Sequence, residues 1–173
     1  MLGLMLMMTI VGADPPPTPP PETVCKVEVS GIPASVRPEH ELIWPGGRAA
    51  ADEVVDVRFR GRETGVMLRG PRYEGSVHLS ASTCGSGARR IDARPRPASI
   101  RFRCAPPGLV VRCDRCPGVS KRWVTAPKFP SLPMDGYIRE VSFEFKAAGF
   151  RAATRRLIVY PGVNLVDVHL EKL

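Results

Sequence analysis

The chain is poor in aromatic residues, in lysine and in long apolar runs, and each shortage argues against a class of function. Aromatics are 6% of the 173 residues, and the 25 basic residues divide into 20 arginines and five lysines. Single-stranded nucleic acid is usually held by exposed aromatics interleaved with basic side chains. The few aromatics here sit mostly within alternating apolar segments, which counts against a nucleic-acid partner despite the net charge of +8. An arginine bias beside abundant Ala, Gly, Pro and Val is also what a GC-rich coding sequence produces. No apolar stretch reaches the ~20 residues that cross a bilayer as a helix, so no transmembrane helix is expected. A Gly-x-Ser-x-Gly elbow is absent, and the three histidines, His40, His78 and His169, fall in no Ser/His/Asp or Cys/His pattern with a chemical rationale. No catalytic residue and no cofactor is therefore assigned.

Helical periodicity is scarce too. Arg48–Asp56 is the one short candidate, and its Ala49-Ala50-Ala51-Asp52-Glu53 centre reads equally as a loop. What the chain has instead is period-two alternation. Cys25, Val27 and Val29 alternate with polar neighbours, as do Val55, Val57 and Phe59; Val77, Leu79 and Ala81; and Ile100, Phe102 and Cys104. Val141, Phe143 and Phe145 follow, then Val166, Val168 and Leu170. Alternation of this kind predicts half-buried antiparallel strands. Gly46-Gly47, Pro106-Pro107-Gly108, Pro117-Gly118 and Pro161-Gly162 punctuate them as turns. The expected fold is all-β, an antiparallel β-sandwich, in two tandem small units at residues 24–97 and 98–173. Leu68–Ala81 aligns with Leu132–Phe145, and a double arginine follows each segment, Arg89-Arg90 and Arg155-Arg156, as expected of a duplication. Residues 149–170 read as the closing hairpin.

Ahead of the strands, Met1–Ala13 is uncharged and rich in Leu and Met, with Val11-Gly12-Ala13 as a small-residue cleavage site. This matches the apolar core of a secretory signal, although no basic residue precedes it. Residues 14–23 form a proline-rich linker that favours extended polyproline II. Together they predict a secreted, periplasmic or envelope location.

Residues 98–173 carry a further pattern. A strand runs into Pro106-Pro107-Gly108 and on to Leu109-Val110-Val111. Then come Gly136-Tyr137 through Phe145, Ala148-Gly149-Phe150, Pro161-Gly162-Val163-Asn164 and the strand Val166–Leu170. This order resembles the PEGA domain family of bacterial and archaeal surface domains, within the carboxypeptidase-regulatory-like β-sandwiches. The Pro-Glu-Gly-Ala tetrapeptide itself is not present. The resemblance implies a non-catalytic, extracytoplasmic sandwich used for adhesion, spacing or envelope assembly, with a protein or cell-wall polymer as partner.

Five cysteines leave at least one unpaired in a monomer. Cys113-Asp114-Arg115-Cys116 has the spacing of a redox motif but lies between a strand and Pro117-Gly118, not at a helix N-terminus. It reads as a disulfide, with a thiol-redox site or half of a zinc site as alternatives. Cys84 and Cys104 are the other disulfide or metal candidates, and their pairing would staple the two halves together. Cys25 and Cys104 fall on apolar strand faces and read equally as core. Arg151, Arg155 and Arg156 are candidates for an arginine-rich surface that binds an anionic polymer. Asp52, Glu53 and Asp56 read as a solvated acidic cluster, Gly85-Ser86-Gly87 as a loop, and Trp44 and Trp123 as packing residues.

Overall fold

The computed structural model describes residues 19–51, 54–85, 87–119 and 121–173. The signal-like segment 1–13, linker residues 14–18, Asp52, Glu53 and Ser86 lie outside them.

Fifteen strands are formed among the described residues. The first eight are β1 (Glu22–Ser30), β2 (Glu41–Trp44), β3 (Gly47–Ala50), β4 (Val55–Arg60), β5 (Glu63–Arg69), β6 (Tyr73–Ser80), β7 (Arg89–Asp92) and β8 (Arg94–Pro95). The rest are β9 (Ala98–Arg103), β10 (Val110–Cys113), β11 (Val124–Thr125), β12 (Lys128–Leu132), β13 (Arg139–Lys146), β14 (Ala153–Val159) and β15 (Gly162–Asp167). They make two pairs of sheets. Sheets β4-β1-β7 and β3-β2-β5-β6-β8 use only the first eight strands, and sheets β12-β9-β15 and β11-β10-β13-β14 use only the last seven. Each pair faces inward on its own core. Cys25, Val27, Val57 and Ile91 meet Leu42, Val66, Leu68 and Leu79 in the first. Ile100, Phe102 and Phe129 meet Val111, Val141, Phe143 and Phe145 in the second. These are the alternating apolar positions, turned inward because the strand repeat is two residues. The fold is thus the all-β sandwich expected.

The two units share one topology. With β1 set on β9, β2 on β10 and so on to β7 on β15, the strand order of each sheet in one unit repeats in the other, apart from β8, which has no counterpart. The equivalence differs from the sequence alignment of 68–81 with 132–145, which set β6 against β13. Topology sets β5 against β13 and β6 against β14. A shift of one strand in a chain of similar hairpins keeps the alternation, so pattern matching alone does not register it.

The closing segment also differs from its expected form. β14 pairs with β13, whereas β15 crosses to the other sheet and pairs with β9 in parallel, Leu165 opposite Arg101. Residues 149–170 are therefore a crossover between sheets, not a hairpin. β7 lies parallel to β1 in the same way, Val29 opposite Ile91. Elsewhere the described residues of Arg48–Asp56 fall in β3, a turn and β4, and Ala81 begins a single helical turn, α1 (Ala81–Cys84), instead of extending β6.

Two glycines are dictated by close approach. His40 is buried, with Nδ1 2.8 Å from the Val36 carbonyl and Nε2 accepting the Tyr73 backbone N–H at 3.0 Å. A Cβ on Gly70 would lie 2.0 Å from the His40 ring, so only glycine fits there. Gly162, at φ +86°, stands where a Cβ would come 2.2 Å from the Pro71 carbonyl oxygen of the first unit. The units touch at this point. The Arg72 guanidinium lies 5.3 Å from the Tyr160 ring centre and 5.8 Å from that of Tyr137, and the two rings are 5.3 Å apart. Cation–π contacts of this kind add about 0.5–2 kcal/mol each, so a small joint is built around one arginine.

Candidate functional site

The two disulfides follow from the differences between the units. The β6–β7 connection spans residues 81–88, whereas its counterpart between β14 and β15 has only residues 160 and 161. The Cys25–Cys84 disulfide ties that longer connection, through α1, to the central strand β1. Conversely, the β10–β11 connection spans 114–123 against residues 45 and 46 between β2 and β3. Cys113–Cys116 closes the start of that loop. Each unit therefore carries a disulfide on a connection that is longer than its counterpart in the other unit. Closing a loop limits the unfolded chain, which is how such bonds stabilise small domains.

This placement corrects part of the cysteine reading. Cys84 bonds Cys25 inside the first unit and does not meet Cys104, so no disulfide joins the halves. Cys104 is free and exposed, just past β9 at φ +53°, and belongs to no core. With four cysteines in disulfides, the zinc alternative loses its ligands, and no group of three or more His, Cys, Asp or Glu side chains among the described residues is placed to hold a metal ion. Cys113 and Cys116 are both buried, which shields their sulfurs from an attacking thiolate.

The arginines predicted for anion binding do not converge. Arg155 donates to the His169 carbonyl oxygen, Arg156 pairs with Glu140 at 3.7 Å, and Arg151 pairs with Glu171 at 3.5 Å. Because Arg155 and Arg156 are consecutive in β14, they lie on opposite faces of the sheet. A different set of arginines does come together. A groove of about 930 Å³ runs along the outer side of β5 and β6 toward β7 and β8, with Arg69, Arg90, Arg94 and Arg96 in its walls. Met67 and Gly75 also line it, with Glu74 and Asp92 as its two acids.

The groove arises because the chain bends at Ala93 to pass from β7 into β8, which pairs with the start of β6, Glu74 opposite Arg94. Gly75 permits this crossing, since a Cβ there would lie 2.8 Å from Ile91. Two of the arginines are held in place. Arg90 lies 3.6 Å from Glu28 and 3.9 Å from Asp92, and Arg96 lies 3.4 Å from Glu74 while donating to the Gly70 carbonyl. The side chains of Arg69 and Arg94 have no hydrogen bond or ion pair among the described residues. Beneath them Tyr73 is buried, and that burial holds its hydroxyl above the ordinary tyrosine pKa; Tyr137 adds to the shift and Arg72 opposes it. Two unpaired guanidiniums beside two anchored ones can fork onto carboxylate or phosphate oxygens.

The remaining predicted residues have structural surroundings. Trp44 packs against the first core. Trp123 lies beside Arg112 and Lys146, whose charges are 5.0 and 4.5 Å from its ring centre. Both cations pair with Glu144, and the Arg112 hydrogen bond holds that carboxyl below its usual range against the opposing effect of burial, with Lys146 adding to the lowering. His78 pairs with Glu63 at 2.8 Å on the surface. No helix among the described residues is long and apolar enough to cross a membrane.

Residues of the groove come from four strands, so no local motif marks it. The available signal was density: Arg89, Arg90, Arg94 and Arg96 fall within eight residues. No protein-family model, curated protein or solved structure matches the chain.

Proposed function

We propose that the protein is a non-catalytic binding module of the bacterial cell envelope, working outside the cytoplasm and holding an anionic polymer in the arginine-lined groove of its first unit. The observation that carries this reading is the pair Arg69 and Arg94, unpartnered in a groove whose other arginines are already anchored. Two disulfides and a signal-like start support an oxidising compartment. The likeness of residues 98–173 to PEGA domains supports an adhesive or spacing role. Thiol-redox chemistry at Cys113 and Cys116 is the second reading, and the burial of both sulfurs weighs against it.

The test is titration of the whole protein with polyphosphate and with polyglutamate at low and physiological ionic strength. Both probes should bind, and more weakly as salt rises. Arg69→Gln with Arg94→Gln should weaken binding by about a hundredfold, the loss of two charge-assisted contacts at about 1.5 kcal/mol each. Affinity that ignores salt, or survives the double substitution, contradicts the groove assignment. Fractionation that places the protein in the cytosol contradicts the compartment.

A further inference from the structure

The duplication supplies an internal comparison. The outer face of β4-β1-β7 in the first unit and that of β12-β9-β15 in the second occupy equivalent places, yet they differ in charge. On the first, four basic residues, Lys26, Arg58, Arg60 and Arg90, accompany four acidic ones, Glu22, Glu28, Asp56 and Asp92. They are set against each other across the strands: Lys26 opposite Asp56, Glu22 opposite Arg60, Glu28 opposite Arg90. Opposite charges on facing strands stabilise a sheet, and four basic against four acidic side chains leave this face without net charge.

The second face is not. Lys128 stands directly opposite Arg101, and Leu165 flanks Arg101 on the other side. Like charges in facing positions destabilise a sheet. Neither the Lys128 nor the Arg101 side chain has a hydrogen bond or ion pair among the described residues, and the one acid on the face, Asp167, is taken by Arg103 at 3.0 Å. Beside them Val163 and Leu165 are 64% and 53% exposed. The face thus combines two uncompensated cations with two uncovered apolar side chains, and its one ion pair, Arg103–Asp167, leaves both cations unmatched.

We infer that the outer face of β12-β9-β15 docks another protein through an acidic segment whose carboxylates meet Arg101 and Lys128 and whose apolar side chains cover Val163 and Leu165. A bare polyanion satisfies the cations but leaves the two apolar residues in water, and an uncharged hydrophobic partner buries the cations unpaired, which is costly. A mixed acidic and apolar segment satisfies both. The site lies in the other unit from the arginine groove and stands independently of it.

An eight-residue peptide of sequence Glu-Glu-Val-Val-Glu-Glu-Val-Val, which when extended carries both residue types on each face, tests this with the whole protein, in a background where Arg69 and Arg94 are Gln so that the groove does not contribute. The peptide should bind, a Lys–Val peptide should not, and a Glu–Ser peptide should bind at least fivefold more weakly. Lys128→Glu should weaken the Glu–Val peptide at least tenfold while leaving the melting temperature unchanged or higher, because it recreates the opposite-charge pair of the first unit. A residue with only a structural role would lower it. Val163→Ser with Leu165→Ser should weaken binding at least threefold. No binding of the Glu–Val peptide, equal binding of Glu–Ser, or insensitivity to Lys128→Glu overturns the proposal. So does capture by phosphatidylglycerol vesicles that equals or exceeds peptide binding, since the occupant would then be a membrane.

Discussion

Replacing Cys25 and Cys84 together by alanine is expected to lower stability by about 4 kcal/mol, the chain-entropy value for a closed loop of some sixty residues. The bond spans 59 positions, and it holds α1 and the lengthened β6–β7 connection against β1, a strand paired on both sides. Loss of the bond leaves that connection free while the other strands keep their ladders. Replacing Cys113 and Cys116 should cost about half as much, about 2 kcal/mol, because their loop spans three positions. Urea unfolding of the two double variants under non-reducing conditions measures the difference. Equal costs would show that loop closure is not the source of the stabilisation.

Phe143→Ala is expected to cost about 3–5 kcal/mol, the usual range for removing a fully buried phenylalanine. Phe143 has no exposed surface, and its ring meets Phe129 edge-on at 5.0 Å and Phe102 at 5.7 Å, with Phe145 tilted beside it at 6.1 Å. No side chain nearby fills the resulting hole without abandoning one of these contacts. The two cores share no ladder, and the units meet through the Arg72–Tyr137–Tyr160 joint. Hydrogen exchange should accordingly rise across 98–168 and change little across 22–92. A matching rise in both halves would mean that the cores unfold as one.

Much of this architecture was legible in the chain. The alternations at Cys25–Val29, Val55–Phe59, Ile100–Phe102 and Val141–Phe145 each name a strand and its buried face, because apolar burial acts residue by residue at a period of two. Partner choice is another matter. Val166 and Val168 alternate identically whether their strand folds back on β14 or crosses to β9, so the crossover had no local mark. For the same reason the alignment of 68–81 with 132–145 lies one strand out of phase with the topology. Short-range cysteine pairing was readable at Cys113–Cys116, but a bond across 59 positions depends on where α1 lands. The candidate sites were least legible. Arg155 and Arg156 are adjacent in sequence and separated by the sheet, while Arg69 and Arg94 are far apart in sequence and share a groove across β6. Lys128 and Arg101 become a meaningful pair only once β12 lies on β9.

Two sandwiches of like topology each carry one disulfide on a lengthened connection. Peptide mapping by mass spectrometry, after alkylation without reductant, tests that most directly. It should find Cys25 linked to Cys84, Cys113 linked to Cys116, and Cys104 alone alkylated. A disulfide containing Cys104, or five alkylated cysteines in the native protein, would contradict it.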